Sequence, residues 1–322
     1  MNKNDFSEIL PAIRGKKVLI VGDLMLDRYI LGTVDRISPE APVPVFLVEK
    51  ENSAPGGAGN VANNIVALGG VASVLGAIGK DEAASRLIKE FKKRKIDASG
   101  IISIAAKQTT QKIRTVAHGQ QLIRLDIEQT DKISGGFEKT AMELLAKKIK
   151  NTDILVVSDY AKGFITKNLA GKIINLSKKY GKKIIGDIKP KNFSYFKNID
   201  IITPNEKEAR EMSGKNSVME AGKFLQKKLN CGVLITRGAS GLTLFEKNKS
   251  YDFPAKARDV FSVTGAGDTI TAVVALCLAA GIELKNAAFI ANCAAGIVVG
   301  KMGTATPSFL ELQNSLKTES GI

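Results

Sequence analysis

At 322 residues, with 44% hydrophobic and 25% charged residues and no low-complexity tract, the chain has material for one large core, which excludes a disordered or collagen-like class. Three widely spaced cysteines and a single histidine, His118, exclude a disulfide framework and a structural zinc site. The formal charge of +15 is mostly dispersed lysine, which fits phosphorylated small molecules as partners or a general bias towards lysine; no aromatics interleave with basic residues as a single-strand groove requires, so no nucleic acid and no membrane are expected.

The opening stretch MNKNDFSEILPAIRGKK lacks the apolar core of a signal peptide, and the small-apolar run TAVVALCLAAGI is too short to span a bilayer, so a cytoplasmic protein is expected. Short β-branched runs follow: KVLIVGD at 17–23, VASVLGAIG at 71–79, DILVVSD at 153–159, KKIIGD at 182–187 and GVLITRG at 232–238. They alternate with helical patterns, which predicts an α/β fold with a central, mostly parallel sheet flanked by helices. Several runs end in Gly or Asp, gathering polar groups at the strand ends where open α/β sheets bind ligands. Residues 28–50 and 108–128 break the alternation with interleaved polar and apolar residues, the first stretch carrying three prolines. Together they predict a small β-sheet lid inserted into one domain spanning 1–322. The basic run KEFKKRK at 89–95 reads as the solvated face of a helix, and 265–300 as two helices rich in Ala and Gly.

Two glycine-rich loops bear on chemistry. In PGGAGNVANNIVALGG, residues 57–62 match the loose pattern G-x-G-x-x-G/A, but ENSAP separates the glycines from the preceding apolar run, which argues against a dinucleotide site. Gly56 and Gly57 can instead admit the backbone to a polyol, with Asn60 donating and accepting hydrogen bonds; a plain turn before a packed helix is the other reading. No G-x-x-x-x-G-K-[ST] is present, so a P-loop is excluded. In SVTGAGDTITAVVAL, Gly265, Ala266 and Gly267 precede a long helix, and their unobstructed N–H groups at its positive end can cradle an anion. Asp268 sits in the first turn, either as a reactive carboxylate held ionised or as a simple cap. Asp23 and Asp27, in GDLMLDRY, read as partners of vicinal hydroxyls or as strand-end caps.

In this order, GDLMLDRY, GGAGN, TPNEKE, TRGASG and TGAGDT resemble the ribokinase-like (PfkB) carbohydrate kinases across nearly the whole chain. GDLMLDRYILGTVDRISPEAPVPV, PGGAGNVANNIVALGG and LVVSDYAKG look like the branch of that family that phosphorylates a heptose 7-phosphate at C1. The resemblance implies a ribokinase-like fold, ATP and Mg²⁺. It implies that Asp268 is the general base and that the amides of Gly265, Ala266 and Gly267 form an anion hole. Asn205 and Glu208 fall on the N-x-x-E positions, which hold Mg²⁺ through water and the nucleotide phosphates; read alone, they are a helix cap and a surface acid. Thr236, Gly238 and Asn292 match nucleotide-binding positions, and Asp23, Asp27, Gly56, Gly57 and Asn60 match the sugar site. Arg114, Arg124, Lys162 and Lys189 are candidates to hold the phosphate of the sugar.

Two departures stand out. Ser262 occupies a position where the family usually has an Asp that helps hold a monovalent cation, so potassium activation is doubtful. DIKPKN at 187–192 replaces Asp-Pro-Lys-Gly while keeping Lys189 in register. Relatives are often fused to an adenylyltransferase with an H-x-G-H motif; this sequence has one histidine, so that second activity is not expected in it. Exposed lid strands predict a homodimer that clasps through its lids.

Overall fold

The computed structural model describes residues 6–256, 261–301 and 303–320. In chain order the strands are β1 (Lys17–Gly22), β2 (Leu24–Ile37), β3 (Pro44–Gly57), β4 (Val71–Ile78), β5 (Asp97–Ser103), β6 (Thr110–Ala117), β7 (Gln120–Ile127), β8 (Ile154–Asp159), β9 (Lys183–Ile188), β10 (Ile201–Ile202), β11 (Gly232–Thr236), β12 (Leu242–Glu246) and β13 (Lys249–Phe253). The helices are α1 (Phe6–Ile9), α2 (Ala58–Ala67), α3 (Glu82–Lys93), α4 (Gly135–Lys148), α5 (Lys167–Tyr180), α6 (Glu206–Ser213), α7 (Val218–Leu229), α8 (Ala266–Ala279), α9 (Leu284–Val299) and α10 (Phe309–Ser320).

Nine strands form one sheet in the order β13-β12-β11-β10-β9-β8-β1-β4-β5, parallel from β5 through β11. The central strands are apolar on both faces because each face carries helices. Along β1 the period of two sends Val18 and Ile20 into the core under α2, α8 and α9, and Leu19 and Val21 into the core under α4, α5 and α7. In α8 and α9, Ala272, Ala275, Ala287, Ala288, Ala291 and Ala294 are completely buried, so small side chains bring these helices close against the sheet.

The expected strands are all present. The antiparallel edge β12–β13 was not anticipated: Glu246 pairs with Lys249, leaving Lys247 and Asn248 as a two-residue turn with φ of 48° and 64°. Such type I′ turns normally advertise themselves by Asn-Gly or Asp-Gly, and a lysine in the first position hides the signal.

A second sheet, β3-β2-β6-β7, contains the stretches 28–50 and 108–128. It starts earlier and ends later than expected, at Leu24 and Gly57 on its first two strands. Only Asp23 separates β1 from β2, and β3 runs directly into α2 through Gly57, whose φ is 55°. The small sheet therefore grows out of the main one beside the carboxyl ends of the parallel strands.

Candidate active site

Asp268 lies in the first turn of α8, which begins after Gly265 at φ 83°. A Cβ at Gly265 would fall 2.9 Å from Asn60 Nδ2, so the absent side chain lets α8 start against α2. The carboxylate is 7% exposed; Asn60 Nδ2 donates to Oδ2 at 2.7 Å and the Tyr160 hydroxyl donates to Oδ1 at 2.7 Å. Burial pushes its pKa up to about 6, against the pull of the Asn60 and Tyr160 hydrogen bonds; Asp27 adds to the rise and Lys189 opposes it. A buried carboxylate poised near neutrality in the first turn of a helix has the equipment of a general base next to an anion-binding helix start.

The ends of the parallel strands complete the cleft. Lys189, Asn205, Glu208, Thr236, Gly265, Gly267 and Asp268 line it together with Tyr160, Asp187 and Thr203. Asn205 caps α6 in a reciprocal box, Glu208 N donating to Asn205 Oδ1 at 2.9 Å and Asn205 N to Glu208 Oε2 at 3.0 Å. Glu208 also accepts a hydrogen bond from Lys189. Asp187, at the end of β9, is pushed up to about 7 by burial, with Lys189 pulling it down and Asp268, Glu208 and Asp159 raising it further. Three carboxyl groups around one lysine are a setting that a hard divalent cation relieves. Among the described residues no group of three or more His, Cys, Asp or Glu is arranged to enclose a metal, so such an ion would be held sparsely, by Asp187, Asn205 and Glu208 with water. Gly238 opens a short turn just beyond Thr236.

On the other side, Asp27 from β2 pairs with Arg114 from β6 at 2.7 Å, both nearly buried, and the Arg114 guanidinium lies 5.3 Å from the Tyr29 ring centroid. Gly56 faces this pair from β3, where a Cβ would fall 2.5 Å from Asp27 Oδ2, while Gly57 lies against the Asp23 carbonyl and Met25. The Asp23 carboxylate accepts from three backbone amides, Tyr160 at 2.8 Å, Lys162 at 3.0 Å and Phe164 at 3.1 Å. Three of its roughly four acceptor sites are thus taken, and its first role is to brace the loop after β8. Lys162 pairs with Glu128 at 2.7 Å, and Arg124 with Asp126 at 2.9 Å. Lys112, which sequence reasoning did not single out, joins both acids, at 2.9 Å from Asp126 and 3.7 Å from Glu128.

Of the expected residues, Lys189, Asn205, Glu208, Thr236, Gly265, Gly267 and Asp268 line the cleft, and Asn60 reaches it through its bond to Asp268; the others lie outside that lining. Among these, Arg124 is half exposed on the small sheet, and Asn292 donates to the Pro254 carbonyl at 2.7 Å, tying α9 to the segment after β13. Tyr160, Asp187 and Thr203 were missed. Each lies inside a quoted motif, Tyr160 in LVVSDYAKG, Asp187 in DIKPKN and Thr203 in TPNEKE, at or just beyond the end of a strand, and those motifs could have found them.

A family profile described as pfkB family carbohydrate kinase matches residues 15–310. The bifunctional protein HldE of Aliarcobacter butzleri is 41% identical over 301 residues, covering 92% of this chain and 63% of that protein. The bifunctional protein HldE of Azotobacter vinelandii is 42% identical over 318 residues, covering 97% and 66%. The chain spans about two thirds of the length of these curated relatives. Its fold is shared with phosphofructokinase-2 from Escherichia coli in complex with potassium, at a TM-score of 0.79, 19% identity and coverage of 95% and 99%. The ribokinase of Arabidopsis thaliana complexed with ribose and ATP superposes with a TM-score of 0.71 at 21% identity, covering 94% and 99%. With the family profile matched over almost the full length and the same architecture beneath it, the chain belongs to the pfkB family of carbohydrate kinases.

Proposed function

We propose that the protein transfers the γ-phosphoryl group of ATP to the anomeric C1 hydroxyl of D-glycero-β-D-manno-heptose 7-phosphate, giving the 1,7-bisphosphate used for ADP-heptose and lipopolysaccharide core synthesis. The observation that carries this reading is Asp268, buried, tethered through both oxygens, and set in the first turn of α8 behind Gly265 and Gly267. Asp268 takes the proton of the C1 hydroxyl as its oxygen bonds to the γ-phosphorus, the bond to the β–γ bridging oxygen breaks, and ADP leaves. The amides of Gly265, Ala266, Gly267 and Asp268 stabilise the charge on the transferring group. Asn205, Glu208 and Asp187 would hold Mg²⁺, which neutralises the nucleotide phosphates. Thr236, Gly238 and Asn292 belong to the nucleotide side.

Asp23, Asp27, Gly56, Gly57 and Asn60 form the sugar side under a lid made of the small sheet, with Lys162, Lys189, Arg114 and Arg124 as cations for the sugar phosphate. Leu47, Val48, Ile123 and Leu125 are about half or more exposed on that sheet, which supports a homodimer joined through the lids. No helix among the described residues is long and apolar enough to cross a membrane, in keeping with a cytoplasmic site of action.

Incubation with MgATP and a panel of sugars and sugar phosphates, followed by ³¹P NMR, tests the reading. A new anomeric phosphate on heptose 7-phosphate is the expected product. Transfer to a different acceptor only would overturn the substrate, and transfer to none would overturn the activity.

A further inference from the structure

Tyr160 has no place in the scheme above, yet among the described residues its side chain is one of the two that donate hydrogen bonds to the base. It sits on the loop between β8 and α5, and that loop is fixed from two directions. Asp23 receives the amides of Tyr160, Lys162 and Phe164. Asp159, completely buried, accepts the Ala161 amide at 2.9 Å on one oxygen and Asn192 Nδ2 at 2.9 Å on the other. Ala161 has a φ of 56°, a left-handed conformation unfavourable for a residue with a side chain, which persists because these bonds over-determine it. The outcome of that local strain is a ring driven inward, with its hydroxyl 2.7 Å from Asp268 Oδ1 and the Lys189 ammonium 4.9 Å from its centroid.

We infer that Tyr160 is a positioning residue for the base: with Asn60 it clamps the two oxygens of Asp268, so that the lone pairs left over face the acceptor hydroxyl. This rests on Asp268 acting as the base. Burial and the neighbouring Asp268 charge hold the Tyr160 phenol well above its ordinary value, so it remains a donor over the working range. The groups that act on Asp268 are Asn60 from α2, Tyr160 from the loop after β8, Asp27 from β2, and Lys189 and Asp187 from the end of β9, besides the amides of its own helix. Of these, Asn60 and Tyr160 are the direct hydrogen-bond donors. Without the hydroxyl, Asn60 and the Lys189 charge are left to oppose burial, and the carboxylate takes up a proton at higher pH.

Tyr160→Phe tests this, since it keeps the ring, the Lys189 contact and the backbone anchors. The acidic limb of the kcat/KM profile should move up by about one pH unit or more, the size of a lost charge-assisted hydrogen bond. KM for ATP should stay within about twofold, because the ring face toward Lys189 is unchanged. Replacement of Tyr160 by 3-fluorotyrosine, a stronger donor, should move the limb the other way and guards against a poorly folded Phe variant. An acidic limb that stays in place in both, even with a lowered Tm, would make Tyr160 merely structural and overturn the inference. Near-wild-type turnover by Asp268→Asn is a different result: it would overturn the base assignment itself.

Discussion

Ion pairs around the cleft differ in worth because they differ in burial. Arg114 and Asp27 are 8% and 4% exposed, so Arg114→Ala strands an unpaired carboxylate, at a cost of about 3–5 kcal/mol by denaturant unfolding. Arg124 is half exposed beside Asp126, and Arg124→Ala should cost about 1 kcal/mol or less. That makes Arg124 the cleaner probe of substrate charge: its removal should raise KM for the sugar phosphate and leave free sugar untouched, and equal effects on both would remove it from the phosphate site. At Asp268 itself, Asp268→Asn can turn its carbonyl oxygen to Asn60 and its amide to the Tyr160 oxygen, so the fold and ATP affinity should persist while turnover falls about 10²–10⁴-fold. A loss of only a few-fold would return TGAGDT to being a helix cap. Asp268 and Asn205 were legible in the sequence because their surroundings, a glycine pair before a helix and a capping box, are local. The roles of Tyr160 and Asp187 were not, because these residues acquire partners only when distant strand ends converge.

Among the elements, α8 joins chemistry to packing most tightly. From Asp268 through Leu278 every residue of it is buried, while its first turn opens on the cleft. Gly265→Ala would place a Cβ against Asn60 Nδ2 at a φ of 83°, straining the turn by about 1–2 kcal/mol and pushing away one of the two tethers of Asp268. Turnover should therefore drop more than the strain alone predicts, with Tm lowered by a few degrees; full activity would show that the amides of this turn are not in the reaction. Just before it, the Ser262 hydroxyl accepts the Thr264 amide at 3.2 Å, so a neutral side chain closes the turn where the family resemblance leads one to expect a carboxylate. Replacing a bulky inert cation by potassium at constant ionic strength should stimulate turnover little, and a several-fold rise would assign the site to backbone carbonyls. The parallel strands were readable from continuous β-branched runs. The β12–β13 hairpin was not, since a Lys-Asn turn carries no glycine to mark it.

Over the whole molecule, buried carboxyl groups shape the response to pH. Asp159, Asp187 and Asp268 are raised by burial to about 6, 7 and 6, so the folded state binds more protons than the unfolded one between the ordinary value of 3.8 and those values. Stability should consequently fall as pH rises through that window. Glu311, held down to about 2 by Lys301 and Ser308 against its burial, acts in the opposite sense and loses its contribution as pH drops below 4.5. On these groups, thermal unfolding without ligands should thus show a Tm maximum at about pH 4 or just below, with Tm declining from there towards pH 7. A Tm that climbs steadily to pH 8 would mean that these acids ionise without penalty.

The single residue between β1 and β2 has a mechanical consequence. Asp23 and Gly57 are the two points where strands of the small sheet pass straight into the body, so they define an axle. A 14-residue strand is roughly 45 Å long, and a swing of about 10° around that axle carries its far tip through about 8 Å but Asp27 through only about 2 Å. Asn60 and Tyr160 lie on the fixed side with Asp268. A rotation there would move the far end of the small sheet most and the residues around Asp268 least, once the Arg86–Glu51 pair between α3 and β3 is released.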